Sequence, residues 1–303
     1  WQPQIAVMLI PTAIYGYMVF TTKFPDVPEI EKIVDLDAKG LLLMTAIFGL
    51  LVLIGTPNAL VAGLPGTFIL PLLVVLALTF LLMLFRAGRT RDAALLIVLM
   101  GIMSVTATSE LGTQQWVDRI LGAQLGGIPG QAMIVLGMVT GIMAVGRYFA
   151  GPLIHALNPL GVLLLSAVLT TLGLFLMSSA SGAMVYISAI VFAVGVCYFW
   201  PTMIGVTAQY VPRSGALGMS LVGAAGMFAL TIWNPIIGGW IDGARAAAEA
   251  EGLTGNAVEV AAGQGALSQL VYFPVSLIVV FAALYMARNW IKSTSGDDAE
   301  HAH

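Results

Sequence analysis

Glu110 lies in "SVTATSELGTQQWVD" (residues 104–118), with Thr106 four residues before it and Gln114 four after. On a helix that spacing brings all three onto one face. A carboxylate collared by hydroxyl and amide groups can carry a proton or hydrogen-bond a polar solute. Its setting is an apolar run of about twenty residues. At a membrane centre the acid would cost about 2.5–3.5 kcal/mol on insertion scales. Counted from Ala93 at about 1.5 Å per residue, it falls roughly 25 Å along the helix, in the outer quarter, where the cost is smaller. The bland reading is an interfacial acid at a helix end. The sharper one is an acid that lines a cavity and holds a coupling proton or binds solute. Dry surroundings favour the neutral form of a carboxylic acid, as proton coupling requires.

Two further stretches combine polar groups, aromatic rings and a helix-breaking proline. "CYFWPTM" (197–203) sets Trp200 and Thr202 on either side of Pro201. "LTIWNPIIGGW" (230–240) sets Thr231, Trp233 and Asn234 before Pro235. A proline inside a helix frees a backbone carbonyl, and at membrane depth neighbours or water must satisfy it. Such breaks mark binding sites and hinges in transporters. Pro11, Pro71 and Pro274 also fall inside apolar runs, and membrane helices tolerate proline as shape alone. The tryptophans could equally be interface anchors. An amide such as Asn234 at lipid depth turns towards protein or a watery cavity.

These residues need membrane helices to position them. The chain has 303 residues, 59% of them hydrophobic and 9% charged. Soluble domains carry roughly 25% charged residues, so lipid must be the solvent. Thirty-four glycines suit close helix approach. "GMVTG" (137–141) and "GALGMSLVGAAGMF" (215–228) are the stretches expected to provide it. The single cysteine, Cys197, excludes an internal disulfide. No metal site, cofactor or nucleic-acid partner is expected, since no ligand cluster or basic patch occurs.

Apolar stretches long enough to span a bilayer occur near 5–22, 41–56, 67–85, 93–112, 131–150, 160–178, 182–210, 215–241 and 268–288. Residues 23–40 read as a charged cytoplasmic linker, 243–267 as a surface helix or loose loop, and 291–303 as a solvated cytoplasmic tail. If the first span runs inward, ten of the twelve basic residues lie inside and only Arg119 and Arg245 outside. The chain begins almost directly on an apolar run and is read as the C-terminal portion of something longer. It is expected to need that missing N-terminal half for transport.

Between the fifth and sixth spans stands "GRYFAGPLIHALNPLG" (146–161). This stretch resembles the loop motif of the major facilitator superfamily at Gly151, Leu153 and Ile154. It departs from the motif where His155, Ala156 and Asn158 replace an aspartate, a basic residue and a glycine. Arg147 could stand in for the lost charge of the cytoplasmic gating loop. "SELGTQQW", "CYFWPTM" and "IWNPIIGGWID" also look like the seventh, tenth and eleventh helices of bacterial members. The resemblance implies an all-α polytopic bundle, with 93–290 as the C-terminal six-helix half. Residues 1–22 would be the last helix of the missing bundle and 41–86 an extra helix pair. It further implies alternating access, a cavity between bundles, frequent proton coupling and a place in a bacterial cytoplasmic membrane.

Three functions compete. The first is secondary active transport of a small polar organic solute such as a sugar, nucleoside or carboxylate. Efflux of amphipathic compounds is its closest rival. An intramembrane enzyme would need a nucleophile with a base, or paired ligands within the spans. Neither G-x-S-x-G nor H-E-x-x-H occurs, so no enzyme is expected. A non-transporting sensor is the third.

The charge asymmetry places the linker and the C-terminus in the cytoplasm. A cysteine introduced by Asp298→Cys should therefore react with an impermeant maleimide only in opened cells. Labelling from outside intact cells would reverse the topology.

Overall fold

A computed structural model describes residues 90–116, 120–126 and 130–300, together with six helical positions between Ala13 and Thr21. The chain divides into two compact units, residues 1–31 and 32–303. In the first, the Thr21 hydroxyl donates to the Tyr17 carbonyl at 2.8 Å, one helical turn back. The rest of the expected span 5–22, the linker 23–40 and the spans 41–56 and 67–85 lie outside the described residues.

The second unit is all-α among its described residues. Helix α1 (Thr90–Ala107) runs through a π turn (Thr108–Gly112) into a last α turn, Thr113–Gln115. Next come α2 (Gln131–Tyr148), α3 (Ala150–Ser179), α4 (Ala183–Val196) and α5 (Phe199–Tyr210). Then follow α6 (Gly215–Ala250), α7 (Asn256–Leu270) and α8 (Tyr272–Glu300). Six helical stretches are long and apolar enough to cross a membrane: Ala94–Gln115, Gln131–Tyr148, Ala150–Ser179, Ala183–Tyr210, Gly215–Ala250 and Asn256–Arg288. They match the six spans read between 93 and 288. The unit is therefore a polytopic helical membrane bundle.

Four details refine or correct the sequence reading. The stretch 146–161, expected as a loop, is almost wholly helical and bends sharply at Asn158 (φ 55°, ψ 164°). There the Asn158 side-chain oxygen accepts the Gly161 N–H at 3.1 Å, and Pro159 follows in the first helical position. An asparagine cap followed by proline starts a helix well. Second, residues 243–267 form an ordered helical hairpin from the end of α6 and most of α7. Arg245 clasps it, reaching both carboxylate oxygens of Glu259 at 2.9 and 2.8 Å and Asp242 at 2.9 Å. Third, α8 continues through the expected tail to Glu300. Finally, Gly137 and Gly141, expected to hold helices together, have nothing within 4 Å of where a side chain would begin.

Close approach is made elsewhere. A Cβ at Gly173 of α3 would meet the Phe192 backbone of α4 at 2.5 Å, and one at Gly195 would meet the backbone of Thr170. On α6, Gly226 faces Met103 and Ala107 of α1, and the Trp200 ring of α5. Small residues let these backbones touch, which gives dispersion contact where lipid offers no hydrophobic drive. Gly173→Ala should therefore lower stability by about 1–3 kcal/mol through overpacking. Gly137→Ala, on an open face, should leave it unchanged or slightly raised. Thermal unfolding in detergent distinguishes the two.

Candidate functional site

Helix α2 packs through Ala132, Val135, Val139 and Met143, an apolar stripe at helical spacing. At the end of this helix, Gly146 lies against α4–α5 so closely that a Cβ there would sit 2.6 Å from the Cys197 sulfur. The missing side chain brings the next residue, Arg147, into the bundle. Arg147 Nη2 donates to Glu110 Oε1 at 2.9 Å, and Nε donates to the Cys197 carbonyl at 2.8 Å.

Each partner is presented by a helix irregularity. Glu110 sits in the π turn of α1, with Thr108, Ser109 and Gly112 buried beside it. Cys197 sits where α4 gives way to α5. Its carbonyl would ordinarily accept the N–H of residue 201, but that residue is proline and has none. Arg147 takes the freed carbonyl. The Cys197 thiol in turn approaches the Met143 carbonyl of α2 at 3.4 Å.

The pair lies deep. Cys197 is fourteen residues from one end of the span Ala183–Tyr210 and thirteen from the other, roughly 20 Å from each. Leu95 and Leu99 of α1 line one small apolar pocket with Val206 and Tyr210, so Glu110, farther along α1, comes level with Cys197. Glu110 is the seventeenth of 22 residues in the span Ala94–Gln115, and Arg147 stands in the last turn of α2. The sequence reading ended the first of these spans at 112. The helix runs on to Gln115, and residues 120–126 continue beyond it, where the Gln124 carbonyl accepts the Gly182 N–H at 3.0 Å. For Arg147, the signal that could have found it was Gly146 immediately before it and Pro201 four residues after Cys197.

The other expected site residues scatter. Thr106 is buried and donates to its own helix at the Met103 carbonyl, 2.9 Å away. Gln114 reaches the Met143 sulfur at 3.4 Å, beside the pair. The wider π turn between them disrupts the straight face on which Thr106, Glu110 and Gln114 were aligned. Trp200 fills the space left by Gly223 and Gly226 of α6. Thr202 is buried with its hydroxyl unpartnered. Asn234 donates to Gln115 Oε1 at 2.6 Å and keeps a buried, unpartnered Oδ1. Trp233 joins Trp240 and Phe273 in an aromatic cluster, with ring centroids 4.7–6.3 Å apart. The cluster lines an open groove of about 370 Å³ with Tyr272, Gln269 and Ser276. Gly151 and His155 are exposed on the first part of α3. Among the described residues, no group of His, Cys, Asp or Glu could hold a metal.

Within α1 to α5, Glu110 and Arg147 are the only charged residues of the described spans. The fold defines a multi-pass helical membrane protein with a charge pair joining its first two described spans. No protein-family model matches the chain, and no curated protein or solved structure matches it either.

Removing one partner of the pair leaves a charge or a donor without its complement. Glu110→Gln and Arg147→Gln should each lower stability by about 1–3 kcal/mol. The double variant should lose less than the two single losses added, since neither charge is then stranded. Strict additivity in thermal unfolding would mean that the two groups do not interact.

Proposed function

We propose that the protein is a secondary active transporter of the major facilitator type. It moves a small polar organic solute by alternating access, with a proton as the coupling ion, across a bacterial cytoplasmic membrane. The observation that carries this reading is the Glu110–Arg147 pair, its acid buried in an apolar bundle where two helices depart from regular geometry. Ionisable residues within membrane spans are expensive and typically mark ion or substrate pathways. Irregular helices there are tolerated where they line a cavity. Glu110 supplies a group that can take up and release a proton. Gln114 and the Asn234–Gln115 amide pair supply hydrogen-bonding groups on the same stretch of α1.

The aromatic groove of Trp233, Trp240, Tyr272 and Phe273 favours a second reading, efflux of amphipathic compounds. Such compounds would stack on the rings rather than engage the charge pair.

Vesicles carrying the protein in its full length, loaded with a pH dye, test both. A panel of labelled sugars, nucleosides, carboxylates and hydrophobic cations is offered under an imposed proton gradient. Wild-type protein should concentrate a member of the panel. Glu110→Gln should still exchange it in counterflow but fail to concentrate it. Asn234→Leu should weaken its apparent affinity. Loss caused by Trp233→Ala, with Glu110→Gln indifferent, would favour efflux through the groove. No movement of any panel member would defeat the transporter reading.

A further inference from the structure

The charge pair also constrains what its solute can be. Arg147 remains cationic at any working pH. Its side chain is 38% exposed while that of Glu110 is 4% exposed, so the guanidinium has an open side and the acid does not. Glu110 meets Arg147 end-on, through Oε1 alone, and its Oε2 is buried without a partner. Of the guanidinium nitrogens, Nε is held by the Cys197 carbonyl and Nη2 by Glu110, while Nη1 makes no hydrogen bond among the described residues.

This arrangement separates holding from binding. The carbonyl freed by Pro201 fixes the Nε side of the guanidinium whether or not Glu110 is engaged. The opposite edge, Nη1 and Nη2, is the fork that suits a carboxylate bidentately. When Glu110 takes up a proton its attraction for Arg147 falls, and the cation is left without its counter-charge. A neutral solute cannot offset that charge. An anionic one can.

We propose that the transported solute is an organic anion whose carboxylate replaces Glu110 on Arg147 as Glu110 takes up one proton. The step balances. Before it, one guanidinium faces one carboxylate of the protein. After it, Glu110 carries a proton from solution, and the same guanidinium faces the carboxylate of the solute. The site remains neutral in both states, so the coupled movement of one proton with one monoanion transfers no net charge. The titratable groups facing Glu110 are Arg147 of α2 and, beyond it, the Cys197 thiol and Tyr198 hydroxyl of the α4–α5 break. Helices α6 and α8 also pack on the π turn. Their charged residues (Asp242, Arg245 and Glu249 on α6; Arg288, Lys292, Asp297, Asp298 and Glu300 on α8) fall in the C-terminal part of each helix.

The inference rests on the transporter reading for the crossing itself, but binding can be measured without any crossing. The purified full-length protein in detergent is titrated with benzoate, lactate and gluconate, and with glucose and uridine as neutral controls. At least one carboxylate should bind, with uptake of one proton per anion. Its affinity should fall about tenfold per pH unit once Glu110 is ionised, as one-proton linkage requires. Glu110→Gln should bind the same anion at least as tightly, without proton uptake and without pH dependence. Arg147→Gln should not bind it. Should Glu110→Gln fail to fold, the proton count of the wild-type protein decides alone. Anion binding without proton uptake, or no carboxylate binding at all, overturns the proposal. Vesicles that move glucose or uridine while no carboxylate binds would keep the transporter and discard the anion. Carboxylate binding with proton uptake, but no movement across vesicles, would do the reverse.

Discussion

A guanidinium anchored at the edge of an apolar bundle sets the terms for what packs around it. It cannot shed its charge, so it needs partners where water is scarce. In this protein two of its nitrogens are met by protein groups drawn from separate helices, a carboxylate from α1 and a main-chain carbonyl from the junction of α4 and α5. The three helices are thereby tied at one point.

Regular helices could not have supplied those partners. A straight α4–α5 helix would have spent the Cys197 carbonyl on its own ladder, and Pro201 prevents that. A bulkier residue at position 146 would have collided with the Cys197 sulfur and kept α2 away. The π turn of α1 widens the helix where Glu110 must emerge, and such turns recur at functional positions. Each irregularity alone is a defect in a helix. Together they build one polar contact, and the close glycine packing of α3 on α4 holds the scaffold that carries it.

Composition and the spacing of apolar runs made the six helices between Ala94 and Arg288 legible, because a bilayer dictates their length and character. That an acid interrupts the apolar run at position 110 was legible too. What it touches was not. Arg147 was placed with the loop residues because it stands near the end of its apolar run, where basic residues commonly collect. The π turn carries no recognisable composition, so the shared face of Thr106, Glu110 and Gln114 was drawn on a straight helix that the chain does not form. Trp200 looked like a stacking platform from its company, yet the glycines that seat it lie more than twenty residues away on α6.

Helix α6 has 36 residues, about 54 Å of helix against a hydrocarbon core of roughly 30 Å. Its far end cannot remain in lipid. Its far end folds back through α7, clasped by the fork of Arg245 on Glu259. Helix α7 is pinned in turn to its neighbours, Asn256 donating to the Ala123 carbonyl and Gln264 to the Ala180 carbonyl. A helix too long for the bilayer thus closes one end of the bundle rather than standing free of it.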